Sequence, residues 1–286
     1  MEIGYIYYQM HVMWYELDML PETLLSIKSA SEYSSLPIKY DIAINLQTYI
    51  ESPNEQIDQN YIYELIKSYL PDANIELITN DLPFYNIGDW RREKYDINAS
   101  YTVWGESDCL LPINFFHILC NLNIEIKPHI VSFASRKMWD DSWKCVEHPL
   151  STIYNPNDPD NTPEPYWCGH YIKQEQLNTI NDVDTLKLDV INPLKIDGAN
   201  LCLSGGIDFK FIPDNMHFCY EDMCAQIKFQ QNGIVQYHIS NIMKGHNYGH
   251  PLKRTNTNNT RNDDTYKKYQ KESYIAMQTF ITNGKI

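Results

Sequence analysis

The chain has 286 residues, 43% of them apolar and 21% charged, which is enough for a full core in one large domain and excludes a disordered or fibrous protein. Its 23 Lys and Arg stand against 37 Asp and Glu, and the formal charge of −14 opposes unassisted binding to nucleic acid or an acidic membrane. No stretch approaches a transmembrane helix in length, the start MEIGYIYYQM lacks the basic residues of a signal peptide, and seven irregularly spaced cysteines predict reduced thiols in a cytoplasmic protein.

The first half alternates strand and helix signals. IGYIYYQM is rich in strand formers, and LPETLLSIKSASEY follows with Pro21 near a helix start and apolar Leu24, Leu25 and Ile27. The isoleucine-rich KYDIAINLQTYI predicts a second strand. NEQIDQNYIYELIKSYL predicts a helix whose inward stripe is Ile57, Tyr61, Leu65 and Tyr69. ANIELIT reads as a third strand, NIGDWRREKYD as a loop entering a helix, and SYTVWG as a fourth strand. This repetition predicts an α/β fold with a mostly parallel central sheet and helices on its faces. INFFHILCNLN and KPHIVSFAS extend the pattern by a helix and a strand. From Trp139 the chain becomes aromatic and Pro-rich, and the run YNPNDPDNTPEPYW predicts a long irregular insertion, a lid or acceptor-facing segment. No internal repeat or linker separates the parts, so the chain reads as a single unit 1–286. Its divisions are 1–135, 136–252 and a polar C-terminal segment 253–286.

The run SYTVWGESDCLLP places Glu106 and Asp108 where an apolar strand ends. Residues i and i+2 of a strand share a face, so the two carboxylates are expected to converge on one ligand. Hard divalent cations such as Mg²⁺ or Mn²⁺ take such oxygens and fill their remaining positions from water and a diphosphate. Acids at a strand end also serve as solvated caps, and that reading stands beside the first. Upstream, Gly88, Arg91 and Arg92 in NIGDWRR fit phosphate recognition, or else ion pairing with Glu93 or Asp96. Downstream come the Gly205-Gly206 turn, then Glu221-Asp222 opening a helix-like run, then His246 and His250 in KGHNYGHP as possible metal ligands.

In this order the motifs resemble those of the GT-A nucleotide-sugar glycosyltransferases, over nearly the whole chain from Ile3 to about Pro251. The resemblance implies a GT-A, Rossmann-like fold with nucleotide-sugar binding in residues 1–135 and acceptor binding in 136–252. It implies that Glu106-Ser107-Asp108 acts as the DxD element, holding Mn²⁺ or Mg²⁺ through Asp108 and Glu106 with His246. Tyr8 and Gln9 on the first strand, Asn45 on the second, Gly88, Arg91, Arg92, Gly205 and Gly206 would line the donor site. Asp222, or its neighbour Glu221, would be the catalytic base of an inverting transfer from a nucleotide-diphosphate sugar. Trp139, Trp143, Tyr166 and Trp167 offer aromatic faces for an acceptor, which could be a glycan, lipid, protein or modified nucleic acid. The chain departs from the pattern in carrying Glu rather than Asp at the first DxD position. Its first two strands also lack acids at their ends, which leaves the donor base open. A nucleotide-sugar or carbohydrate-binding protein without turnover and a nucleotidyltransferase are the alternatives. Cys145, His148, Cys168 and His170 fit no standard zinc spacing.

Overall fold

The computed structural model describes residues 4–13, 16–45, 58–78, 87–126, 128–134, 137–139, 145–147, 173–190, 198–207, 212, 216, 220–246 and 264–282. Strand β1 (Ile6–Met13) reads IYYQMHVM, and its alternation decides which residues enter which layer. Ile6, Tyr8, Met10 and Val12 enter one core with residues of α1 (Leu20–Ser31) and α2 (Gln59–Tyr69). Pro21 near the start of α1 and the Asp58 side chain accepting from Asn60 N and Tyr61 N fix where these helices begin. In α2 the inward row is Ile62 and Ile66, and Tyr61 is 62% exposed. This corrects the expected stripe at Tyr61, whose hydroxyl stays at the wet side, while Leu65 and Tyr69 do pack against the core and Ile57 lies outside the described residues.

The strands β2 (Ile38–Asn45), β3 (Asn74–Ile78) and β4 (Tyr101–Glu106) pair in parallel in the order β3-β2-β1-β4, with α3 (Ile87–Glu93) preceding β4. After the two-residue β5 (Cys109–Leu110) come α4 (Phe115–Asn121), β6 (His129–Ala134) and a short antiparallel ribbon of β7 (Lys137–Trp139) and β8 (Cys145–Glu147). The ribbon shows that the insertion opens with regular structure. Next are α5 (Gln174–Ile180), β9 (Leu188–Val190), β10 (Leu201–Ser204), α6 (Glu221–Gln231), β11 (Val235–Met243), β12 (Gly245–His246) and α7 (Asp264–Thr282).

All eight long-sheet strands run in the order β3-β2-β1-β4-β10-β6-β11-β9. The Rossmann-like α/β plan expected of a GT-A chain is present, and the mostly parallel expectation holds fully only for its first four strands. β10 lies antiparallel to both β4 and β6, β11 is parallel to β6, and β9 closes the edge antiparallel to β11. The reason is that β10 starts at the carboxyl end of β4 and descends beside it, where a parallel strand would need a crossover first. Helices α1, α2 and α4 cover one face, and α6 and α7 build a second core with Trp104, Leu201 and Leu203 on the other. Residues 253–286, expected as a polar segment, thus contribute Ala276 and Met277 to that core. Among the described residues no helix is long and apolar enough to cross a membrane.

Candidate active site at the carboxyl end of the fourth strand

β1 is flanked by β2 on one side and β4 on the other, so chain connections leave in opposite directions between β1 and β4. Ligands of open α/β sheets bind at that switch point, beyond the strand carboxyl ends. His11 of β1 pairs with Glu106 of β4 there. The strand stops at Glu106, and Ser107-Asp108 form a turn rather than continuing the pleat. The same-face argument for Glu106 and Asp108 therefore does not apply, and their placement is set by how the turn is anchored. Ser107 is fully buried; its Oγ bonds the Glu16 carboxylate and lies 3.3 Å from the His11 carbonyl, and its own carbonyl accepts from Thr23 Oγ1 at 2.7 Å. Asp108 is 1% exposed. Directly after it, β5 pairs antiparallel with β12, which sets the backbone of His246 opposite Cys109.

Two carboxylates at one strand end, with a histidine-bearing strand alongside, are the donor types that Mg²⁺ or Mn²⁺ combines with diphosphate oxygens. Among the described residues no group of three or more His, Cys, Asp or Glu side chains forms a metal cluster, and the His246 side chain and His250 lie outside them.

The basic residues of α3 point into the protein. Arg91 Nη1 donates to Glu221 Oε1 at 2.6 Å, and its guanidinium lies 4.5 Å over the Trp104 ring, two residues before Glu106. Arg92 pairs with Asp89 and reaches the Met216 carbonyl at 3.3 Å. Gly88 is required for the same docking, since a Cβ there would stand 2.0 Å from the Met216 oxygen. Gly88, Arg91 and Arg92, expected at the donor phosphates, thus all meet protein partners in this structure. Neither partner is Glu93 or Asp96. Burial pushes the Glu221 carboxyl up to about 7 against the pull of Arg91, with Asp222 adding repulsion. Burial, helped by Arg91, holds His11 neutral with its pKa near 3.

Asp222, half-buried in the first turn of α6, meets a loop that sequence reading passed over. A Cβ on Gly198 would be 1.9 Å from Asp222 Oδ2, so glycine alone admits the carboxylate. The neighbouring Ala199 carbonyl accepts from the buried Lys244 ammonium, and Asn200 N donates to the Trp104 carbonyl at 2.8 Å. Tyr8 OH donates to Asn200 Oδ1 at 3.1 Å, and Asn200 has φ of 50°, a left-handed conformation asparagine tolerates. The dipeptide Asp197-Gly198 was the available turn signal. The Gly205-Gly206 turn directly follows β10. Ser204 pairs with Tyr101, so this turn sits at the opposite end of β4, about 17 Å from Glu106 at strand rise. There Gly205 N donates to the Ser100 carbonyl at 3.1 Å and Gly206 takes φ of 89°.

Of the other expected donor contacts, Tyr8 is a core residue packed under Gly105, whose added Cβ would lie 2.4 Å from the ring. Gln9 is buried on the opposite face beside Trp104, and neither of its amide atoms has a hydrogen-bond partner among the described residues. Asn45 ends β2 opposite Ile78, and its side chain lies outside the described residues. Trp139 ends β7, with its side chain likewise outside them, as are Trp143, Tyr166 and Trp167 altogether.

No family model and no curated protein sequence matches the chain. Among solved structures it is similar to S. aureus TarS 1-349, at 11% identity and a TM-score of 0.46, covering 90% of this chain and 66% of that one. The same TarS fragment in complex with UDP-GlcNAc gives 9% identity and a TM-score of 0.44 over 82% and 58% of the two chains. A 4-diphosphocytidyl-2C-methyl-D-erythritol synthase from Anaerococcus prevotii gives 14% identity and a TM-score of 0.31 over 52% and 65%. The chain spans less than two thirds of the length of each. Overlaps of this size assign no activity.

Proposed function

We propose that this chain is a metal-dependent glycosyltransferase that moves a sugar from a nucleotide-diphosphate donor to an acceptor hydroxyl with inversion. One observation carries the reading: acids more than a hundred residues apart in sequence are tied to one strand. The Glu106-Ser107-Asp108 turn closes β4, and the Glu221-Asp222 helix entry packs onto Trp104 of the same strand through Arg91 and the Gly198–Asn200 loop. A binding protein has no need of a second acidic pair there, whereas transfer requires both a stabilised leaving group and a base.

Asp108 and Glu106, with His246 from β12, would hold Mn²⁺ or Mg²⁺, which neutralises charge on the departing diphosphate when bound. Asp222 takes the proton of the acceptor hydroxyl as its oxygen bonds the anomeric carbon. The carbon–oxygen bond to the diphosphate breaks from the opposite side, and the diphosphate leaves with the electron pair. Burial keeps His11 neutral beside Glu106, which adds no positive charge to compete with the metal.

The test is incubation with Mn²⁺ and a panel of UDP-, GDP- and dTDP-hexoses, with potential acceptors, following nucleoside diphosphate release by mass spectrometry. In the parent, release should depend on Mn²⁺. In Asp222→Asn it should fall roughly a hundredfold or more while donor affinity stays near parental. Parental release from Asp222→Asn removes that residue as base.

A further inference from the structure

Arg91 is 2% exposed, its guanidinium joined to Glu221 at 2.6 Å and stacked 4.5 Å over Trp104. Glu221 is the first residue of α6 and Asp222 the second. Successive side chains on a helix diverge by about 100°, so clamping Glu221 sets the rotation of the helix entry and hence the direction of Asp222. The preceding Tyr220 has φ of 65°, a conformation costly for an aromatic residue, and its ring contacts Tyr274 of α7 at 5.9 Å. The entry of α6 is therefore held from both sides, and Asp222 is directed onto Gly198.

We propose that the Arg91–Glu221 ion pair is a positioning device that aims Asp222 at the strand end carrying Glu106, and that Arg91 is not a ligand of the donor phosphates. This rests on the reading of Asp222 as the base. A buried ion pair contributes little net stability compared with an apolar pair of similar volume, so orientation is the function that distinguishes it. Burial raises the Glu221 carboxyl, and Asp222 repels it, so the two acids sense each other's charge through this pair.

The experiment compares Arg91→Met, Glu221→Leu, the double variant Arg91→Met/Glu221→Leu, Arg91→Lys and Asp222→Asn. Thermal melting, affinity for UDP, GDP and dTDP with Mn²⁺, and diphosphate release from the donor that turns over are read for each. The single apolar variants leave one buried charge unpaired and melt lower. The double variant restores melting to within about 3 °C of the parent. It keeps parental nucleotide affinity and still releases diphosphate about 10- to 100-fold more slowly, the cost of a base out of line. Arg91→Lys, which keeps the charge without the planar fork, folds and shows the same split at smaller size. Parental turnover in the double variant would reduce the pair to packing. A tenfold loss of nucleotide affinity in folded Arg91→Lys or the double variant would instead make Arg91 a donor ligand. Parental turnover in Asp222→Asn, or no release from any donor, would overturn the catalytic reading and this proposal together; loss in Asp222→Asn alone would overturn only the proposal.

Discussion

The two faces of β1 divide the labour of the molecule. On one, Ile6, Tyr8, Met10 and Val12 sink into a core shared with α1, α2 and α4, and the hydroxyl among these four side chains, Tyr8 OH, is bonded to Asn200. On the other, Gln9 and His11 lie beside Trp104, Arg91 and Glu221, a buried layer of charge and hydrogen-bonding groups. Burying apolar surface stabilises at about 25 cal/mol per Å², whereas burying polar groups costs free energy unless each is paired. One side of the strand therefore supplies fold stability and the other holds a buried polar layer, at some cost to stability.

Three substitutions sharpen or break that division. Phe115→Ala on the apolar face should lower unfolding free energy by about 3–5 kcal/mol, because Phe115 is fully buried against Phe116 and Phe133. Donor affinity per folded molecule should not change. A parallel drop in affinity, measured by calorimetry below the transition, would mean the faces are not separable.

The second concerns pH. The folded carboxyl of Glu221 titrates near 7 and the ordinary value is 4.5, so it contributes stability that is complete below the ordinary value and is lost as pH rises through about 7. His11, lowered from 6.5 to about 3, does the reverse: its contribution is present above 6.5 and lost as pH falls toward 3. Glu221→Gln removes the first effect alone. Urea melts between pH 5 and 7 should show its stability-against-pH slope more positive than the parent's by up to about 1 kcal/mol per pH unit. An unaltered slope would show that Glu221 stays fully ionised beside Arg91.

The smallest effect expected is at Gln9. Both its amide atoms are buried without a hydrogen-bond partner among the described residues, so Gln9→Leu should be neutral or stabilise by up to about 1 kcal/mol. If Gln9 meets the donor, as the motif resemblance implies, nucleotide affinity falls while the melting temperature holds or rises. A lower melting temperature would show that the amide is paired in solution.

Part of the site was legible because its signals are local. Glu106 and Asp108 interrupt an apolar strand, and Glu221-Asp222 open a helix, both readable from residue type and period. Gly205-Gly206 was legible only as a turn, because a double glycine says nothing of which end of the sheet the turn occupies. The antiparallel pairing of β10 with β4 placed it at the far end and put Gly198 at the near one. The ion pairs of Arg91 with Glu221 and of Arg92 with Asp89 were not legible, because charge is visible in a sequence and burial is not.

By itself the sequence determined the alternation of strands and helices from Ile6 to Ala134, the end of the fourth apolar strand beside Glu106, and the acidic entry of α6. These follow from backbone sterics and hydrophobic periodicity, which act over a few residues. Only the tertiary structure decided that β10 runs antiparallel between β4 and β6, that His246 lies across from Cys109, and that Arg91 pairs with Glu221, 130 residues away. Each is a choice among chemically equivalent partners, and packing makes it: the guanidinium over Trp104 must be neutralised where it is buried, and Glu221 is the acid whose helix end reaches it.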